Sequence, residues 1–330
     1  MNYFYQKIWL IIILFGLSLY CLESLAKTQP CQDSTIIGIV DTGVDLNHDS
    51  IKPWLWTNPG ETGIDSQGRD KATNGIDDDG NGFADDLHGW NFVKNNADVS
   101  DYHGHGTHIS GLITKYWSQY VSENECQPFQ IMILKYFDQR FPGSDTLENS
   151  IKAFRYALKS KVKIINFSGG GSTKSKPEEV LIKLAAKKHV LLVAAAGNES
   201  SNSDLYKYYP ASYNLPNILS VAALDLKNHL LASSNFGPKT IKLAAPGEDI
   251  LSTMPGNSYG LMSGSSQATA ITTGIAALVM HKKPWLSEPK KMIKYLCSTG
   301  KTNKNLYKKI ANLKQVSLDN ALSDQAITSF

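Results

Sequence analysis

The chain carries almost no charge imbalance: across its 330 residues, 33 basic side chains stand against 30 acidic ones, for a formal charge of +3. No long run of one sign occurs, which argues against nucleic acid or an anionic membrane surface as the main partner. Internal repeats and low-complexity linkers are also missing, so nothing splits the chain. With 42% hydrophobic and 19% charged residues it can bury one large core or two modest ones.

Long apolar runs are absent except at the N-terminus, where Lys7 precedes Ile8–Leu17 and Ser24-Leu25-Ala26 offers small residues for a signal peptidase. Residues 1–26 therefore read as a secretory signal peptide, with a retained membrane anchor as the competing reading. Tyr20 before Cys21 argues against a lipoprotein site. Removing the signal leaves Cys31, Cys126 and Cys297. An odd count allows at most one internal bridge, and an exported context permits Cys31 to pair with Cys126 without requiring it.

What is there is a succession of short, β-branched, nearly continuous apolar runs: 34–41, 130–137, 162–167, 190–195, 218–223 and 241–245. Few alternate polar with apolar, as expected of strands covered on both faces. Helical patterns separate them at 105–120, 145–159, 176–188 and 266–281. A further one lies at 287–297, where Ser287 can cap and Pro289 sits in the first turn. This alternation predicts an α/β fold, a mostly parallel central sheet with helices on both faces. Residues 57–101 break the pattern, being rich in Gly, Asp and Asn, and read as a long functional excursion.

Chemistry-bearing residues fall at element ends. Asp41 closes the first predicted strand in IVDTGVD, where a parallel sheet opens its ligand crevice. His105 and His108 lie in GHGTHISG at a predicted helix start. A zinc helix would space two histidines four apart around a glutamate, and this one does not. Three serines crowd SGSSQATA, residues 263–270, ahead of the most apolar helix. A serine hydroxyl is a weak nucleophile that needs a base, an orienting group and donors for the oxyanion.

Together, Asp41 in DTGVD, His105 in HGTH, Asn198 in AAAGN and Ser266 after Gly264-Ser265 resemble the subtilisin-like serine peptidases, in their chain order aspartate, histidine, serine. Segments 234–237 (SNFG) and 245–247 (APG) extend the likeness from residue 34 to about 300. The resemblance implies the three-layer subtilisin-like fold in one peptidase domain, residues 27–330. It implies Ser266 as nucleophile, His105 as general base and acid, Asp41 as orienting carboxylate and Asn198 as oxyanion donor. It implies Ser168, Gly169 and Gly170 as the strand that pairs with substrate, and Tyr208, just before Tyr209-Pro210, as the floor of the primary specificity pocket. Ser263 and Ser265 then read as loop hydroxyls.

The pattern has departures. Ser265, Gln267 and Ala270 stand where the family usually has threonine, methionine and proline; alanine cannot break a helix there. A peptide-binding domain without catalysis is the alternative these changes raise, although each catalytic side chain is present. Only residues 27–40 separate the expected cleavage site from Asp41, so no large pro-domain is evident, and folding unaided or with a separate factor is expected.

The excursion holds NGIDDDGNGFADD, residues 74–86, which offers oxygens at Asp77, Asp79, Asn81, the Phe83 carbonyl and Asp85, with Gly82 at the sharp turn. That opens like a calcium loop, although His88 stands where its closing glutamate belongs and Asp86 could substitute. Structural calcium is expected, and no cofactor for catalysis. The expected partner is a protein or peptide substrate met by an exported monomer, secreted or periplasmic, without nucleic acid and without stable membrane association once the signal is cleaved.

Overall fold

In a computed structural model of the chain, residues 30–115, 117 and 127–323 are described. The strands follow the apolar runs. β1 (Pro30–Asp41), β2 (Gly89–Asn91), β3 (Gln127–Lys135), β4 (Ile164–Phe167), β5 (Leu191–Ala195), β6 (Ile218–Leu224) and β7 (Leu243–Pro246) come in chain order. The hairpin of β8 (Ile250–Met254) and β9 (Ser258–Met262) stands apart, and β10 (Lys301–Thr302) and β11 (Lys314–Gln315) complete the set. Nine of them form one sheet in the order β10-β11-β7-β6-β5-β4-β1-β3-β2, parallel throughout except for β10 against β11.

Side-chain alternation along these buried strands supplies two cores. Ile37, Ile39, Leu191, Val193, Leu219 and Val221 pack on one face against α1 (His105–Lys115). Val40, Ile165, Leu192 and Ala194 pack on the other, against α2 (Thr146–Lys159) and α3 (Lys176–Lys187). Asp145 and Ser175 cap these last two by accepting the N–H groups of Glu148 and Glu178. The first face also takes α4 (Ser265–Lys282), whose residues from Ser265 through Met280 are all buried, so this helix is covered on every side rather than amphipathic. Helices thus cover both faces and the three layers are those expected.

α5 (Pro289–Thr299) starts two residues later than the sequence suggests. Pro289 takes the first helical position, so the cap falls to Glu288, whose carboxylate accepts from Lys290 and Lys291, and not to Ser287. A short α6 (Leu318–Leu322) follows. Among the described residues no helix is long and apolar enough to cross a membrane. Cys31 is disulfide-bonded and Cys297 is a free, half-buried thiol whose ionisation burial pushes up. The signal segment 1–26, Cys21, Cys126 and the end of the helix expected over 105–120 lie outside the described residues.

Candidate active site

Parallel strands set their carboxyl ends on one edge of the sheet, and Asp41, Ser168 and Asn198 follow from the ends of β1, β4 and β5. Asp41 is 3% exposed. Its Oδ1 accepts the N–H of Thr42 at 2.8 Å and lies 2.6 Å from Nδ1 of His105, the first residue of α1. Gly106 allows this approach, because a Cβ there would come within 2.1 Å of the Gly43 carbonyl.

A residue that the motif reading passed over holds the helix start in place. Asp101, 8% exposed, accepts the hydroxyls of Thr42 and Thr107 and the N–H groups of His103, Gly104 and Thr107. Thr42 Oγ1 in turn accepts the N–H of Gly106 at 2.8 Å. Burial pushes the Asp101 carboxyl up, but the hydrogen bonds from Thr107, Gly104 and His103 outweigh it and hold its pKa below the usual carboxylate value. The only sequence signal was an acidic residue just ahead of a helix start.

For His105, burial opposes the charged ring. The charge and hydrogen bond of Asp41, with the charge of Asp101 behind, overcome it, and the pKa lies above the ordinary histidine value. An imidazole held through Nδ1 by a carboxylate has Nε2 left to take a proton. His108, three residues on, faces away: it is fully buried, its Nε2 bonds the Ile250 carbonyl at 2.9 Å, and it joins α1 to β8.

Ser266 sits in the first turn of α4 and is 7% exposed. Its hydroxyl donates to the Ser168 carbonyl at 2.9 Å, and no hydrogen bond joins it to His105 among the described residues. Gly264, with φ at +152°, turns the chain into this helix in a conformation that favours glycine; a Cβ there would lie 3.2 Å from Nδ2 of Asn198 and 3.3 Å from Oε1 of Gln267. Ser265 is not a loop hydroxyl, because it is fully buried as the first residue of the helix. Its N–H donates to Oδ1 of Asn198 at 2.8 Å, and its Oγ accepts the N–H of Gly197 at 3.1 Å. Ser263 does stay in the loop, accepting the N–H of Asp249. Gln267 is 2% exposed and Ala270 fully buried, so both departures are packing positions.

Gly169 and Gly170 border the same cleft. A Cβ on Gly170 would come within 2.5 Å of the Tyr208 ring, and one on Gly197 within 3.0 Å of it, so this ring fills the space between the two segments. Burial, with the Glu199 charge, pushes the Tyr208 hydroxyl up to about 12. Gly171 and Tyr209 exchange backbone hydrogen bonds at 2.9 and 2.7 Å beyond it.

In the excursion, the carboxylates that converge are those of Glu61, Asp79 and Asp86, with ligand atoms within 4.8 Å of one another. Of the residues expected there, Asp79 belongs to this group. Asp77 turns its oxygens to the N–H groups of Asn81 and Gly82, Asp85 to that of Gly75. Asn81 donates from its amide to Asp86 and Asp79, and the Phe83 ring packs on Trp90 and Tyr156. Glu61 and Asp86 are fully buried. Burial first, with the neighbouring carboxylates, raises the pKa of Glu61, and burial with the Asp79 charge raises that of Asp86. Oε2 of Glu61 is buried and has no hydrogen-bond partner. Two buried carboxylates and an orphaned oxygen of this kind fit a hard cation such as calcium.

Comparison with known proteins shows the family. Residues 32–323 match the model of the Subtilase family. The chain is 35% identical over 245 residues to the major intracellular serine protease of Bacillus subtilis, covering 74% of this chain and 67% of that protein. It is 30% identical over 293 residues to subtilisin-like protease 1 of Plasmodium berghei, covering 83% of this chain but 47% of the relative. Among solved structures it is similar to a cold-adapted subtilisin-like serine proteinase, with a TM-score of 0.61 and 24% identity over 86% of this chain and 90% of the other. It is similar as well to the epidermin leader peptide processing serine protease of Staphylococcus aureus, with a TM-score of 0.65 and 24% identity over 90% of this chain and 77% of the other. The aspartate at the end of β1, the histidine that opens α1 and the serine in the first turn of α4 thus stand in a chain that belongs to the subtilase family, the subtilisin-like serine-type endopeptidases.

Proposed function

We propose that the protein hydrolyses peptide bonds through an acyl-enzyme formed on Ser266. The observation that carries this is the 2.6 Å contact of Asp41 with His105. Asp41 fixes the imidazole through Nδ1, and the Ser266 hydroxyl, released from the Ser168 carbonyl, is the group proposed to give its proton to Nε2. As Oγ bonds to the scissile carbonyl carbon, its proton passes to His105. His105 then returns the proton to the leaving amine as the C–N bond breaks. Water, giving a proton to the same imidazole, then bonds to the acyl carbon; the ester C–O bond to Ser266 breaks, and His105 returns the proton to Oγ.

The oxyanion is held by Nδ2 of Asn198 and the N–H of Ser266. Because Oδ1 of Asn198 is already taken by Ser265, the amide turns its NH2 toward the cleft. The substrate backbone pairs as an extra strand along Ser168–Gly170, and Tyr208 closes the floor beneath the side chain that precedes the cleaved bond. Glu61, Asp79 and Asp86 would hold a calcium ion, whose charge would offset that of the buried carboxylates, outside the proposed chemistry.

Export is part of the same reading. The N-terminal sequence and the bonded Cys31 support it. The name of the Bacillus relative shows that family membership alone does not set the compartment. A serine-directed fluorophosphonate should label the folded wild-type protein and leave Ser266→Ala unlabelled, while the wild type cleaves a peptide library. Folded wild-type protein that takes no label would overturn the reading, and labelling without peptide cleavage would make it an esterase instead.

A further inference from the structure

Asn198 is exposed, and an exposed side chain on a loop is a poor place for a donor that must meet a developing charge within tenths of an ångström. Ser265 holds one side of it, through the N–H bond to Oδ1. The other side is set by Asn235, which belongs to the SNFG segment and to which the motif reading assigns no role. Asn235, 1% exposed, lies in the segment after β6 and spends its whole amide on the loop that carries Asn198. Its Oδ1 accepts the N–H groups of Glu199 at 3.0 Å and Ser201 at 2.9 Å. Its Nδ2 donates to the Ala196 carbonyl at 3.0 Å and to Oε2 of Glu199 at 2.5 Å. Its own N–H donates to the Gly197 carbonyl at 3.0 Å. An amide has two acceptor and two donor sites, so the side chain is fully satisfied by residues on either side of Asn198. Gly197 closes on the same group: a Cβ there would come within 2.3 Å of Nδ2 of Asn235.

We propose that Asn235 is a positioning residue for the oxyanion donor, fixing the Ala196–Ser201 loop so that Nδ2 of Asn198 faces the reacting carbonyl. It touches neither substrate nor Ser266 and acts only through Asn198. A fully bonded amide on both flanks leaves Asn198 without the backbone freedom that would blur its aim. Any other polar group of this size would leave part of the loop unpaired. Aspartate at 235, for instance, keeps both acceptor bonds, loses the donors to Ala196 and brings a second negative charge against Glu199.

The proposal rests on Asn198 acting as oxyanion donor, and a double-mutant cycle on the full-length enzyme separates the two claims. Cleavage of one chromogenic peptide is measured for wild type, Asn198→Ala, Asn235→Ala and the pair, with active enzyme counted by fluorophosphonate titration. Asn198→Ala is expected to lower kcat about 100- to 1,000-fold with KM little changed. Asn235→Ala should lower kcat about 10-fold or more, again with KM held, and cost less than about 3-fold once Asn198 is alanine. An equal loss in both backgrounds, or a loss carried by KM, overturns the positioning role while leaving Asn198 as donor. No loss at all in Asn198→Ala overturns the donor reading itself, and the inference with it. If Asn235→Ala does not fold, Asn235→Asp runs the same cycle, with the same two results for and against.

Discussion

The hydroxyl of Ser266 donates to the main-chain carbonyl of Ser168 at 2.9 Å, and in return the hydroxyl of Ser168 donates to the carbonyl of Ser266 at 3.2 Å. This reciprocal pair ties the first turn of the central helix to Ser168, just past the end of β4, where the segment proposed to receive the substrate backbone begins. The proposed nucleophile is thereby parked on the segment proposed to bind substrate. A bound peptide whose N–H groups take that carbonyl would weaken the hold on Ser266 at the moment the imidazole needs its proton.

Because His105 must be neutral to accept that proton and its pKa is raised, kcat/KM should fall on the acid side of a limb that lies above the ordinary value of about 6.5. Replacing Asp41 by Asn removes the main raising influence, so the limb should move to lower pH while kcat drops about 10,000-fold. Stability has the opposite sign: the Asp41–His105 interaction contributes fully below the unfolded histidine value and is lost as pH rises through the folded one. A pH-rate profile of both forms checks this, and a limb unmoved in Asp41→Asn would contradict it.

Adding calcium should raise the melting temperature of metal-stripped protein. At a hundredfold excess over Kd the contribution is about 2.7 kcal/mol, several degrees in Tm. Glu61→Gln should abolish the rise, since Glu61 is buried and brings the orphaned oxygen, whereas Asp85→Asn should leave most of it. Scanning calorimetry with and without chelator decides between them. Calcium dependence that followed Asp85 and ignored Glu61 would return the site to the loop first read from the sequence.

The Tyr208 ring occupies the space between Gly170 and Gly197, so cleavage should favour small side chains before the cut bond. Tyr208→Ala opens that space and should shift the profile of a peptide library toward large aromatic residues. A wild-type profile already dominated by aromatics would contradict the assignment.

Glu178 in α3 is 2% exposed, and burial lifts its carboxyl to about 7 from an ordinary 4.5. A raised carboxylate pKa means that the folded state binds the extra proton, so stability falls as pH rises from about 4.5 to about 7, by on the order of 3 kcal/mol. Glu178→Gln should flatten this slope and raise Tm at pH 8 while changing it little at pH 4. Thermal melts at the two values test it.

The sequence made the parallel strands plain, because burial on both faces demands continuous apolar runs, and these left their mark in each of the six. It left β2, β8 and β9 unread: β2 is three residues long, and the hairpin, outside the main sheet, carries exposed Leu251, Tyr259 and Leu261 that no burial pattern organises. In the site, Asp41, His105, Asn198 and Ser266 were legible from local motifs at element ends. Asp101 was not, and Asn235 was visible only as part of SNFG without a role, because each works through main-chain hydrogen bonds that follow from the three-dimensional path of a loop. Glu61 was missed for a related reason: metal-loop spacing searches one short segment, and this carboxylate comes from a separate turn, held beside Asp78 by an N–H bond to its Oε1 at 2.9 Å.

The five hydrogen bonds gathered by Asp101 change what counts as an intact enzyme of this kind. A chain could keep its aspartate, histidine and serine and still fall silent through one substitution at Asp101, with Thr42 and the opening of α1 set adrift from each other. Screening natural sequences by the three proposed catalytic side chains alone leaves the anchoring of the α1 start unexamined. Adding Asp101 to the screen would catch a failure that leaves no trace in the triad.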